Sequence, residues 1–102
     1  MWRMYVLSCA DGSFYCGITT NLERRIKEHN GGTKKKGAKY TNSRRPVVYM
    51  YDEDHPDRSS ASKAEAAFKK LTRDQKIQYM VDKVSATYEE EMRNYQQQSG
   101  SV

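Results

Sequence analysis

Apolar and polar positions alternate loosely from Trp2 to Ser8 and again from Phe14 to Ile18. Both stretches carry β-branched or aromatic residues, a pattern that predicts two strands. Ala10-Asp11-Gly12 between them predicts a three-residue hairpin loop with Gly12 in the left-handed position. That register pairs Cys9 with Ser13 and Leu7 with Tyr15, and turns Tyr5 and Tyr15 to one side of the sheet. A two-residue Asp-Gly turn would put them on opposite sides; the glycine suits the first option without settling it. Thr20 and Glu23 have the spacing of a capping box that opens a helix, and Asn30-Gly31-Gly32 closes it. On a helical wheel, Leu22 and Ile26 define the buried stripe, His29 lies close to it and Arg25 sits on its flank. Arg24 points almost directly away.

From Thr33 to Arg45 the pattern lapses into a long basic loop, a length often associated with function. Pro46 to Tyr51 is the predicted third strand, with proline at its tolerated first position, and residues 52–60 read as polar loop. A second helix starts at Ser60 or Ser62 with Ala64, Ala67, Phe68 and Leu71 on its apolar face. Thr72 and Gln75 open a third, which Ile77, Met80, Val81, Val84 and Tyr88 continue at helical spacing. The tail from about Tyr95 has little to bury and is expected to be disordered. The order strand, strand, helix, strand, helix, helix predicts an α+β fold in which helices cover a small antiparallel sheet. Residues 1–84 are expected to form the domain, with 85–102 a helical extension and tail.

Composition changes this picture in two ways. Eight tyrosines supply apolar bulk in a chain of 102 residues, so the core carries phenols that want hydrogen-bond partners. The net charge of +5 is concentrated locally. Nine Lys or Arg residues lie between Arg24 and Arg45 against the single acid Glu28. Such a stretch favours an anionic partner, nucleic acid first, although a solvated surface loop has the same composition. Cys9 and Cys16 lack CxxC spacing or a histidine pair, so neither zinc nor a disulfide is implied. With no leader-like segment or membrane-length apolar run, a cytoplasmic location with reduced thiols is expected.

Five segments in order add a more specific signal. Met4-Tyr5-Val6, Tyr15-Cys16-Gly17, the run from Asn21 to His29, Gly37-Ala38-Lys39-Tyr40-Thr41 with Arg44-Arg45-Pro46, and the run from Ala64 to Leu71 together resemble GIY-YIG nucleases. The standalone, single-domain YhbQ-like branch is the most similar, and the resemblance covers about residues 2–80. It implies a three-stranded antiparallel sheet flanked by helices, with the element order β-β-α-β-α-α. It also implies one divalent cation, Mg²⁺ or Mn²⁺. Tyr5 and Tyr15 match the tyrosines of the two motifs, Gly17 the glycine of the second and Arg25 the phosphate-facing arginine. His29 matches a histidine one turn later, and Glu65 the single metal ligand. The sequence departs from the pattern at Arg3-Met4 and Cys16, and has no evident late asparagine near Met80.

These residue types suit phosphodiester cleavage. A guanidinium fork and a cation stabilise charge on phosphate oxygens, and a hard cation needs few protein ligands when waters and phosphate supply the rest. Gly17 would let the phosphate backbone approach the sheet closely. Lys34, Lys35, Lys36, Lys39, Arg44 and Arg45 are expected to hold the phosphates, and Tyr40 to stack on an unpaired base or to pack on the sheet. The leading expectation is a metal-dependent endonuclease or DNA-processing enzyme directed by nucleic-acid structure rather than sequence. The alternatives are a nucleic-acid-binding module with little cleavage, and a protein-interaction domain whose basic loop meets an acidic partner.

Overall fold

The structure, a computed structural model, describes residues 1–32 and 37–99. Strands β1 (Trp2–Ser8), β2 (Phe14–Thr19) and β3 (Val48–His55) form one antiparallel sheet in the order β2-β1-β3. The helices are α1 (Leu22–His29), α2 (Lys39–Asn42), α3 (Arg58–Lys69) and α4 (Arg73–Ser99). Residues 1–70 form one compact unit and the chain from Leu71 a second, which consists of α4 and its cap.

The hairpin has the register that brings the two tyrosines to one side. Leu7 pairs with Tyr15 and Tyr5 with Gly17. Cys9 N–H donates to Ser13 O at 2.8 Å, and Gly12 closes the loop at φ +83°. As the central strand, β1 is covered on both faces, and Met4, Tyr5, Val6 and Leu7 are fully buried. Tyr5 and Leu7 build a core with Cys9 and Val47, onto which Tyr15, Leu22 and Ile26 pack. Strand alternation turns Met4, Val6 and Cys16 away from that cluster. Cys16 Sγ there meets Met4 Sδ at 3.2 Å, so its departure from the motif falls on the face opposite Tyr15 and Gly17.

Several boundaries differ from the sequence expectation. The cap of α1 is Asn21, whose side chain accepts from Arg24 N–H, one residue after Thr20. Residues 39–42 of the expected loop form α2. Strand β3 runs on to His55 because its polar residues find partners on both sides. Arg3 bonds Asp52 and Asp54 at 3.2 and 3.1 Å, while His55 lies 2.6 Å from Glu53 and 2.7 Å from Ser60. Helix α3 begins at Arg58 behind an Asp57 cap and buries Ala61 and Phe68. In the second unit, the expected capping box forms: Thr72 N–H donates to Gln75 Oε1 and Gln75 N–H to Thr72 Oγ1. Helix α4 continues through the segment expected to be disordered, as far as Ser99.

Candidate active site

The site begins at Gly17. A Cβ there would fall 2.6 Å from the Tyr5 hydroxyl oxygen and 2.8 Å from Cζ. The space that the glycine leaves is therefore filled by the Tyr5 phenol. Tyr5 is fully buried, and its oxygen lies 2.7 Å from His29 Nε2. His29, also fully buried at the end of α1, has Thr41 Oγ1 2.8 Å from its Nδ1. Gly37 lets that segment close over α1, since a Cβ would meet the His29 Cα at 2.7 Å.

Around this axis lie Tyr15 and Arg25. The Tyr15 ring meets His29 edge-on at 4.8 Å between centroids and Tyr5 at 6.2 Å, but unlike Tyr5 it reaches the surface. Arg25 donates from Nη1 to Glu28 Oε1 at 2.9 Å and also hydrogen-bonds the Tyr5 hydroxyl. Arg24 is more exposed and lies 3.6 Å from the other Glu28 oxygen. The helix wheel's choice of Arg25 as the inward arginine matches this geometry. Glu65, on α3, accepts from Lys69 Nζ at 3.0 Å; this bond and the Glu65 charge outweigh burial and raise the Lys69 pKa, with smaller contributions from Tyr15 and Cys16.

Burial governs the electrostatics. It raises the Tyr5 pKa well above the ordinary phenol value, reinforced by Tyr15 and opposed by Arg25. Burial, then the Arg25 charge, pushes His29 down to about 4. Burial works against the charge of Arg25, but Glu28 and Tyr5 outweigh it and its pKa rises. Tyr5 is thus an interior hydrogen-bonding group, and Tyr15 is the one of the two that reaches the surface.

The depressed His29 pKa fixes the sign of a pH effect. The unfolded chain takes up this proton near 6.5 and the folded chain only near 4, so the stability held above about 6.5 is lost as pH falls toward about 4. The melting temperature is expected to drop across that window. In His29→Gln, which takes up no proton, the drop should be shallower; equal slopes would refute the assignment.

The remaining sequence candidates are dispersed. Tyr40 stacks on Tyr15 at 6.1 Å, with the Arg44 guanidinium 3.9 Å above its ring. Arg44 also donates to Asp11 at 3.0 Å and to the Tyr40 carbonyl at 2.8 Å. Arg45 donates to the His29 carbonyl at 2.8 Å and to Asn42 at 2.7 Å. Both arginines therefore brace the α2 segment. Lys39 is exposed, and Lys34, Lys35 and Lys36 lie outside the described residues. Two buried polar residues escaped the sequence reading. Glu28 carried only its spacing from Arg24 and Arg25 as a signal; Thr41 carried none beyond its place in a family-like segment.

A hairpin that sets two tyrosines beside an arginine and a histidine of the next helix defines a class of protein. Residues 1–78 match the model of the GIY-YIG catalytic domain, and the chain belongs to that nuclease family. Within it, the chain is similar to a UPF0213 protein of Enterococcus faecalis, 62% identical over 78 residues that span 74% of this chain and 85% of that one. A UPF0213 protein of Streptococcus sanguinis is 50% identical over 80 residues, covering 78% of this chain and 88% of the relative. The solution NMR structure of EF2693 from E. faecalis aligns at a TM-score of 0.55 with 54% identity, over 78% of this chain and 82% of that one. No helix among the described residues is long and apolar enough to cross a membrane.

Proposed function

We propose that this protein is a divalent-metal-dependent, structure-directed DNA endonuclease. The observation that carries the reading is the convergence of Tyr5, Tyr15, Arg25 and His29 on one side of the β1–β2 hairpin, with Arg25 held through both Glu28 and Tyr5. The guanidinium fork suits two phosphate oxygens. Tyr15 would orient the attacking water, and Tyr40, stacked on Tyr15 and covered by the Arg44 guanidinium, would support it by packing rather than by stacking on a base. Lys39 and the basic segment before it would hold the backbone, making binding salt-sensitive and indifferent to sequence.

Glu65 fits the cation-holding role, because its half-buried carboxylate already carries the Lys69 ammonium at 3.0 Å. No group of three acidic, histidine or cysteine side chains gathers among the described residues. The donor set therefore suits a hard ion that keeps its waters and shares substrate phosphate, rather than a closed cage. Such an ion supplies Lewis acidity at the phosphoryl oxygen. Lys69 would give up Glu65 when it binds.

A binding module without turnover is the second reading. It is favoured by the neutralisation of Arg25 by Glu28 and of Glu65 by Lys69 in the free protein. Single-stranded, duplex, flap and branched DNA, incubated with Mg²⁺, Mn²⁺ or EDTA, separate the two. Expected is metal-dependent cutting of a flap or branch that Glu65→Ala reduces by about 100-fold or more with binding retained. Metal-indifferent binding without cutting would establish the module instead.

A further inference from the structure

The hydrogen bonds around His29 have a direction, and that direction gives Thr41 a role. The buried Tyr5 oxygen receives a hydrogen bond from Arg25, a residue with donors only. The phenol proton then requires an acceptor, and His29 Nε2 lies 2.7 Å away. Nε2 must therefore be bare. Because burial keeps the imidazole neutral, its one proton is on Nδ1. Nδ1–H in turn donates to Thr41 Oγ1 at 2.8 Å, and the threonine hydroxyl passes its own proton to the Ala38 carbonyl at 2.9 Å.

Every donor in this line has one acceptor: Arg25 to Tyr5, Tyr5 to His29, His29 to Thr41, Thr41 to Ala38. In the opposite tautomer, His29 Nε2–H and Arg25 would both point protons at one phenol oxygen. The phenol's own proton would then have no acceptor among the described residues. The Ala38 amide N–H also points its proton at Nδ1, at 3.4 Å against the 2.8 Å of Thr41, and the Nδ1–H tautomer gives up that long bond to keep the two short ones. The shorter contact and the proton count at Tyr5 agree.

We infer that Thr41 is a positioning residue for Arg25, acting by holding His29 in the Nδ1–H tautomer so that the Tyr5 oxygen is free to accept from the guanidinium. The four-residue α2 thereby reaches the phosphate-binding group through two fully buried side chains. The catalytic part of this inference rests on the proposed role of Arg25; the tautomer does not. Glu28 holds one guanidinium nitrogen and Tyr5 fixes the fork from a second side, which a single ion pair cannot do.

The test uses the full-length, ¹⁵N-labelled protein without DNA. A long-range ¹H–¹⁵N correlation spectrum near neutral pH reports which imidazole nitrogen carries the proton. The wild type is expected to show Nδ1–H, Thr41→Ser the same, and Thr41→Val a mixture or the Nε2–H form. Wild-type protein in the Nε2–H form, or Thr41→Val with an unchanged tautomer, would overturn the inference. If Thr41→Val fails to fold, the wild-type spectrum still decides. Cleavage then tests the positioning role: Thr41→Val should lose about 10- to 100-fold and Thr41→Ser should recover it. A switched tautomer with undiminished cleavage would refute that role. A wild type that cuts no DNA would defeat the nuclease reading and leave the tautomer measurement standing.

Discussion

Arg25→Ala is expected to slow cleavage by roughly 10²- to 10⁴-fold while the protein still folds. The size follows from where the side chain sits. Arg25 is partly buried, with its guanidinium braced between Glu28 at 2.9 Å and the Tyr5 hydroxyl. In the proposed nuclease the fork would meet a phosphate already oriented, and the charge developing on the phosphoryl oxygens would find it without rearrangement. Folding survives because Glu28 keeps Arg24 at 3.6 Å, so its carboxylate is not stranded; a loss of about 1–2 kcal/mol is expected. Arg25→Lys should recover little, since an ammonium cannot contact Glu28, Tyr5 and phosphate in one plane. Arg24→Ala, at the exposed neighbour, is the control and should cut nearly as well as the wild type. Single-turnover cleavage of a labelled flap substrate, with thermal melts of each variant, checks this. Similar losses for Arg24→Ala and Arg25→Ala would sink the assignment.

How far that geometry was legible in the sequence depended on whether a local rule governed it. Gly12 favoured the three-residue turn over a two-residue Asp-Gly turn without settling the choice; the structure has the three-residue turn, and with it Tyr5 and Tyr15 share one face of the sheet. The inward choice of Arg25 followed from helical periodicity. The extent of β3 was missed because Asp52, Glu53 and Asp54 look like loop residues until Arg3 of β1 is brought beside the two aspartates and the extended backbone lines Tyr51 and His55 up with Glu53. Arg44 and Arg45 show the same limit in reverse. Composition cannot separate a guanidinium turned to solvent from one that braces Tyr40, Asp11, Asn42 or the His29 carbonyl. Thr41 was invisible for the same reason: its partner is twelve residues away, and no periodic pattern links them.

Gly17→Ala is expected to cost about 2–4 kcal/mol and to disable the site without touching a charged residue. The added methyl would lie 2.6 Å from the Tyr5 oxygen and 2.8 Å from Cζ. A surface tyrosine would swing aside, but Tyr5 is fully buried and its hydroxyl is fixed by His29 at 2.7 Å. Overpacking alone accounts for about 1–3 kcal/mol, and a broken buried hydrogen bond adds about 1 kcal/mol. For a unit of 70 residues, from Met1 to Lys70, a loss of that size lowers the melting temperature by roughly 10–25 °C. Had Gly17 served chiefly to admit a phosphate, alanine would leave the melt unchanged and weaken only DNA binding. The double variant Gly17→Ala with Tyr5→Phe separates these alternatives. Removing the clashing oxygen should return part of the lost stability, whereas a purely phosphate-facing glycine predicts no rescue. The glycine of the second motif then serves the tyrosine of the first. Its missing side chain lets that phenol lie between His29 and Arg25 inside the protein.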